Sequence, residues 1–411
     1  MPRSFKPALL FFISSLLFLV DSASAQTDSA SFLLHKFAQH IGKETYYRND
    51  SAGLVQYDIN FKFTDRGTPV PLTAQIKITP QYEPVSLLIK GQTSRFSTIH
   101  DSVVINGAAA HIKVDDSVYA RNYAAPMFTV SGYSPGTAQM LLLNYWRTHN
   151  EPKTIELLPS GHVSISQDGY DTLRPEGKTI ILKRYVIKGL VWGNELVWTD
   201  MKDHLFCLIT NDAEGDKLEM MWSPYEDLLP EMLSRGAFYG MRLFTSGLPA
   251  NSLKQYGLTA ITGGNVLDVK KGILLPNQVI LIQKGIIIKT GPAGSIAVPK
   301  NAIIIKADGK TIIPGLWDMH AHFEQAEWGP AYLAAGVTTV RDCGNEFVYI
   351  NAVKGAIDEG KGIGPHIIKA GIIDGPGEMG LGIVRATTKE EAIAAVDNYK
   401  ANGFEQIKIY S

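Results

Sequence analysis

Ile313-Pro314-Gly315-Leu316-Trp317-Asp318-Met319-His320-Ala321-His322 is an apolar approach that ends in three polar residues spaced two apart. Successive side chains of a strand point to opposite faces, so Asp318, His320 and His322 share one face if the strand runs through them. Two imidazoles at that spacing on a strand end turn two ring nitrogens toward one divalent ion, for which neutral imidazole is a good ligand. The pair alone is weak evidence. With ten histidines in 411 residues, chance supplies about 0.24 such pairs, and a structural pair is an even alternative. The surrounding sequence gives it weight.

Downstream, strand and helix patterns alternate. Strands are predicted over Ile312–Asp318, Thr338–Cys343, His366–Ile373 and Gln406–Ser411. Helices are predicted over Gln325–Ala335, Phe347–Asp358 and Thr388–Asn402, closed by Gly336, Gly360 and Gly403. Repeated βα units imply a parallel sheet or barrel. In the last strand Gln406, Lys408 and Tyr410 would face the interior, with Ile407 and Ile409 toward outer helices. A bare buried lysine there is costly, so Lys408 is either part of a site or half of a structural ion pair. The Gly-rich loop Asp374 to Gly382 lacks the Lys-Ser/Thr of a phosphate loop and reads as a substrate loop. Arg341 and Asp342 would form an ion pair near the metal face.

Immediately upstream, Ile261–Val269, Gln278–Gln283, Gly285–Thr290 and Ala302–Lys306 are short strands punctuated by Gly, Asn and Pro turns. Residues 26–250 have another rhythm. Val55, Tyr57, Ile59, Phe61 and Phe63 alternate with polar neighbours, as do Leu72, Ala74, Ile76 and Ile78. That period of two sets one face on a core and one in water. Further strands are expected at 84–92, 110–119, 179–188, 190–199, 204–210 and 217–222, with a hairpin turn at Gly193-Asn194. Helices are expected from Pro135 to His149, with Ser134 as cap and Pro135 first, and from about Tyr225 to Leu243. The expectation is an α+β domain with one large sheet and no catalytic constellation. Trp192, Trp198 and Trp222 are assigned to packing rather than a ligand groove.

The first 25 residues read as an address. Arg3 and Lys6 precede an apolar run from Ala8 to Val20, and Ala23-Ser24-Ala25 offers a cleavage site before Gln26. The run is short for a membrane span. An exported protein, periplasmic or secreted, without a membrane span after cleavage is expected. Lys+Arg total 39 against Asp+Glu 40, which argues against a nucleic-acid partner. Two cysteines, Cys207 and Cys343, rule out a disulfide scaffold or a Cys-based zinc site, and both are expected to be unpaired and buried.

The run from Pro314 to His322 resembles the first barrel strand of the amidohydrolase superfamily, closest to its imidazolonepropionase-related and Xaa-Pro dipeptidase-like branch. Leu333-Ala334-Ala335-Gly336-Val337-Thr338-Thr339-Val340-Arg341-Asp342-Cys343-Gly344 is similar to that family's second strand. Gly403-Phe404-Glu405-Gln406-Ile407-Lys408-Ile409-Tyr410-Ser411 is similar to its fourth. The resemblance covers about residues 258–411. It implies a divalent metal, zinc foremost, as one or two ions held by His320 and His322, with Lys408 as a bridging carbamate. Asp318 would be an outer acceptor orienting a ligand histidine. It also implies two further histidines and a proton-shuttling aspartate from later strands, the aspartate lying beyond Ser411.

The resulting expectation is a multidomain chain. It comprises a leader (1–25), a β-rich N-terminal domain of unknown role (26–250), part of a β-sandwich lobe (258–311) and the first four βα units of a TIM-type (β/α)8 barrel (312–411). The expected activity is metal-dependent hydrolysis of a C–N bond in a cyclic amide or dipeptide-like small molecule, with this chain as the N-terminal portion of the enzyme. The alternative is a non-catalytic binding or structural protein with a degenerate half-barrel.

Overall fold

In a computed structural model, residues 27–131, 135–246, 257–377, 380 and 383–410 are described. The expected leader, residues 1–25, lies outside them. The N-terminal part is built on one fifteen-stranded sheet. From its edge strand Ser117–Asn122 the sheet runs back through consecutive neighbours to Thr27–Lys36. That strand pairs with Lys217–Trp222, and the order then runs outward to Met127–Thr129. Neighbours are antiparallel except the last pair, Ile155–Leu158 with Met127–Thr129.

The alternation in the sequence does what period-two patterning should. Tyr57, Ile59, Phe61 and Phe63 are all buried, and Tyr57, Ile59 and Phe61 sit opposite Ile76, Ala74 and Leu72. Helix α1 (Gly136–Thr148) is buried at every residue from Gly136 to Trp146, as expected of a helix that is apolar nearly all round. Pro135 is its cap residue and not its first helical residue; Ser134 lies outside the described residues. The capping groups come from far away. The Glu44 carboxylate accepts the backbone N–H of Gly136 (2.9 Å) and Thr137 (2.8 Å), and also the Thr137 hydroxyl.

Two other expectations change. The 110–119 segment is two strands, Ala109–Val114 and Ser117–Asn122, because Asp115 takes a positive φ of 49° and turns the chain. The second helix begins as a 3-10 turn, Ser223–Leu228, before α2 (Leu229–Ser246). The hairpin at Gly193-Asn194 is present, with Lys188 opposite Asn194.

Beyond it lies a smaller sheet. Leu258–Asp268 pairs with Ile273–Gln283 antiparallel and with Ile303–Lys306 and Thr311–Ile312 parallel. The expected strand Ile312–Asp318 is broken at Pro314-Gly315. Its start belongs to this sheet, and Leu316–Ala321 opens a separate four-stranded parallel sheet with Val337–Asp342, His366–Asp374 and Gln406–Tyr410. Pro314 has no N–H to give a ladder. Gly315 passes so close to Thr338 that a Cβ there would lie 2.0 Å from its hydroxyl oxygen.

Helices α3 (Trp328–Ala334), α4 (Phe347–Asp358) and α5 (Lys389–Ala401) follow the first three of these strands. The α5 start is a capping box: the Thr388 hydroxyl accepts the Glu391 N–H and the Glu391 carboxylate accepts the Thr388 N–H.

The two parts share a core, in which Ala237 and Met241 of α2 pack with Ile350 and Val353 of α4. Polar contacts hold the seam. The Lys217 N–H donates to Glu324 (2.7 Å), and its buried ammonium lies between Glu219 and Glu346. Glu346 in turn caps α4. Both N–H groups of Asn194 donate to Glu327 (2.9 and 2.6 Å). Cys207 and Cys343 are buried and free. Among the described residues no helix is long and apolar enough to cross a membrane.

Candidate metal centre

The strand Leu316–Ala321 ends one residue short of His322, yet the two histidines stay together: their ring centroids are 5.5 Å apart. His322 is seated by what lies beneath it. Its Nδ1 is 3.2 Å from the Gly344 carbonyl, which can only accept, so Nδ1 carries the proton and Nε2 is left with its lone pair. Gly344 has to be small: a Cβ there would lie 2.3 Å from Ile372 and 3.2 Å from the His322 ring.

The fourth strand brings Lys408 to the same place, its Nζ 3.1 Å from Nε2 of His320 across 88 residues of sequence. The Lys408 ammonium, with a small contribution from burial, holds His320 below the ordinary histidine range. The Nε2 of His320 accepts from the Lys408 ammonium, and the Nε2 of His322 is the ring nitrogen turned away from the Gly344 carbonyl. Two imidazoles at one strand end are a ligand pair for a divalent ion, provided Lys408 gives up its hydrogen bond to His320. As an ammonium Lys408 can only donate. It would act as a metal ligand only after conversion to an anionic form such as a carbamate.

The other expected residues sit differently. Asp318 accepts the backbone N–H of His320 at 3.0 Å and not a ring nitrogen, so it braces the strand end. Arg341 and Asp342 do not pair. Arg341 donates to the Met319 carbonyl (2.7 Å), whereas Asp342 is buried and accepts the N–H groups of Phe323 (2.6 Å) and Gly344 (3.2 Å). Asp342 therefore shapes the turns on both sides of His322. Lys408 is half-exposed, and Ile409, expected against outer helices, is 78 % exposed. Gln406–Tyr410 is the edge strand of the four-stranded sheet, paired among the described residues with His366–Asp374 alone, so both of its faces are poorly covered. Residues 378, 379, 381 and 382 of the Gly-rich loop after Asp374 lie outside the described residues.

A second cluster, Asp65, Glu214 and Asp216, brings three carboxylates within 4.8 Å of one another. Its cations are already in place. Lys36 contacts Asp65 (3.0 Å), Asp212 (2.5 Å) and Asp216 (3.1 Å), and Arg95 contacts Glu214 (3.0 Å). Burial pulls the Lys36 ammonium down, but these carboxylates outweigh it and hold it above the usual lysine range. The cluster is bound into an ion-pair network with these two cations.

The reading of residues 26–250 missed their part in the site. The turn at 211–216 and Trp192 face His322, Glu324, Gln325 and Trp328 across a cavity of about 470 Å³. Burial, then the charge of Asp216, pushes Glu324 up to about 8. No local signal in the sequence announces this wall, because it forms only when two distant turns meet the loop after the histidine strand.

No protein-family model matches the chain. A stretch of 77 residues is 32 % identical to an adenine deaminase of Paracoccus denitrificans (strain Pd 1222), covering 19 % of this chain and 13 % of that protein. Among solved structures, a Xaa-Pro dipeptidase with bound methionine is 25 % identical, with a TM-score of 0.33 over 37 % of this chain and 46 % of the other. Molinate hydrolase is 27 % identical, with a TM-score of 0.27 over 28 % and 30 %. The chain resembles the amidohydrolases. It spans less than half the length of each of these proteins.

Proposed function

We propose that this protein is an exported, metal-dependent amidohydrolase acting on the C–N bond of a small amide, cyclic or dipeptide-like. The observation that carries the reading is the meeting of His320, His322 and Lys408 at the ends of the first and fourth parallel strands. His320 and His322 would hold the ion through Nε2, and carbamylated Lys408 would complete an anionic ligand. A bound divalent ion supplies a water of lowered pKa and polarises the amide carbonyl. The Gly344 carbonyl keeps the His322 proton on Nδ1, Asp318 fixes the backbone under His320, and the turn anchored by Asp342 keeps the pair at the strand ends. Hydrolysis on this reading needs two further imidazole ligands and a proton-shuttling aspartate besides these residues.

Metal analysis of the protein purified with zinc, then with manganese, tests this. At least one divalent ion per chain is expected, falling to background in His320→Ala and His322→Ala. Unchanged metal content in either variant overturns the reading. Release of proline or ring-opened product from a panel of Xaa-Pro dipeptides and cyclic imides tests the substrate class. Export is tested by N-terminal sequencing of the protein from its natural host, with Gln26 expected first. One observation favours the second reading, a non-catalytic binding or structural protein: Lys408 and His320 are open to solvent and already satisfy each other with a hydrogen bond. A metal-free protein would support it.

A further inference from the structure

The cavity between the N-terminal sheet and the loop after the histidine strand is walled by both parts of the molecule. Its chemistry is uniform. The carboxylates of Asp212, Glu214 and Asp216 line it beside the protonated carboxyl of Glu324, and no lysine or arginine does. Lys36 and Arg95 reach three of these carboxylates, yet the same two cations are shared with Asp65, so negative charge is left over. Trp192, 56 % exposed, and Trp328 stand with ring centroids 5.0 Å apart and planes tilted by 48°. Such rings attract a cation over their faces.

Gln325 adds the detail that narrows the ligand. It is 93 % buried by its 7 % exposure. Its Nε2 donates to the Gly215 carbonyl at 3.1 Å, and its buried Oε1 has no hydrogen-bond partner. A buried acceptor without a donor costs about 1–3 kcal/mol, so the cavity asks for an N–H as well as a charge. The walls are held in place by the contacts of Lys217 with Glu324 and of Asn194 with Glu327.

We propose that this cavity binds a primary ammonium group, which donates to Gln325 Oε1 and sits against the carboxylates and the Trp192–Trp328 pair. His322 lines the same cavity. If the metal reading holds, the substrate is an amine-bearing amide, and the N-terminal part of the chain supplies its recognition. That extension rests on the metal reading; the ammonium site does not.

Tryptophan fluorescence at constant ionic strength and pH 7 tests the proposal with three probes: butylamine (a primary ammonium), butanol (the same chain without charge) and tetramethylammonium (charge without an N–H). Butylamine should give a saturable change at a concentration at least tenfold below any change with butanol, and tetramethylammonium should fall between them. Trp192→Ala removes an exposed ring and should abolish the signal. Asp216→Asn should weaken butylamine about tenfold, and Gln325→Met should bring it to the level of tetramethylammonium. His320→Ala should leave the titration unchanged while stripping any metal, which separates failure of this site from failure of the metal centre. Equal response to butylamine and butanol, or full butylamine affinity in folded Asp216→Asn or when followed by calorimetry in Trp192→Ala, overturns the proposal.

Discussion

The large antiparallel sheet and the two smaller sheets after it treat apolar residues in opposite ways. In the first, Ile59, Phe61 and Phe63 are each no more than 2 % exposed, and the polar residues between them face water. In the second, Ile303, Ile304 and Ile305 are 44–50 % exposed, and Leu316, Trp317 and Met319 are 45–59 % exposed. The sequences differ in the same way. One alternates; the others are continuous apolar runs of the kind parallel strands show when both faces are covered. The N-terminal part is thus satisfied by its own chain, whereas the strands bearing the candidate metal ligands carry more apolar surface than their described neighbours bury.

Three changes would sharpen or break this contrast. Phe61→Ala should cost about 3–5 kcal/mol, the usual cost of deleting a fully buried aromatic, measured as a lowered urea midpoint; a loss below about 1 kcal/mol would mean that the sheet core is loosely packed. Next in size is a pH effect to which the large sheet contributes three groups and Glu324 at the seam a fourth. Glu44, Glu195 and Glu219 are buried, and burial pushes each up to about 7 from an ordinary 4.5. The folded chain then holds protons that the unfolded chain has released. Stability from these groups is complete below about pH 4.5 and is lost as pH rises through 7, by roughly 3 kcal/mol per group at most. Denaturation at pH 5 and pH 8 should show the lower value at pH 8, and Glu44→Gln should flatten the difference by at most roughly a quarter; an unchanged slope would break the assignment. The smallest effect on stability is expected from Ile304→Lys, within about 0.5 kcal/mol, but it should reduce self-association in sedimentation, because exposed apolar strands invite it.

Local signals made part of this legible. Alternation placed the core strands, and glycine and Thr388 bounded α4 and α5 closely. The spacing of His320 and His322 put them on one side of a strand end. The rest depended on distance. Glu44 caps α1 across 92 residues, which no window of sequence displays. Lys408 was placed near the histidines only by family resemblance, and its exposure, like that of Ile409, follows from how many strands surround it. The break at Pro314-Gly315 was written in the sequence but outweighed by the apolar run on both sides. Trp192 read as a packing residue and Gln325 as the start of a helix, because their partners lie more than a hundred positions away.

The order of the large sheet has a consequence for how it forms. Thr27–Lys36 is not an edge strand: it sits between Gln39–Ser51 and Lys217–Trp222. To either side the neighbours are mostly consecutive in sequence, so each wing can assemble as a local meander while the chain is still being made. Closing the pair Phe32 opposite Trp222 is the long-range step, and loop-closure entropy makes such steps slow. The first strand of this sheet in sequence therefore waits for the last, and a single strand-breaking proline in either would divide the sheet in two.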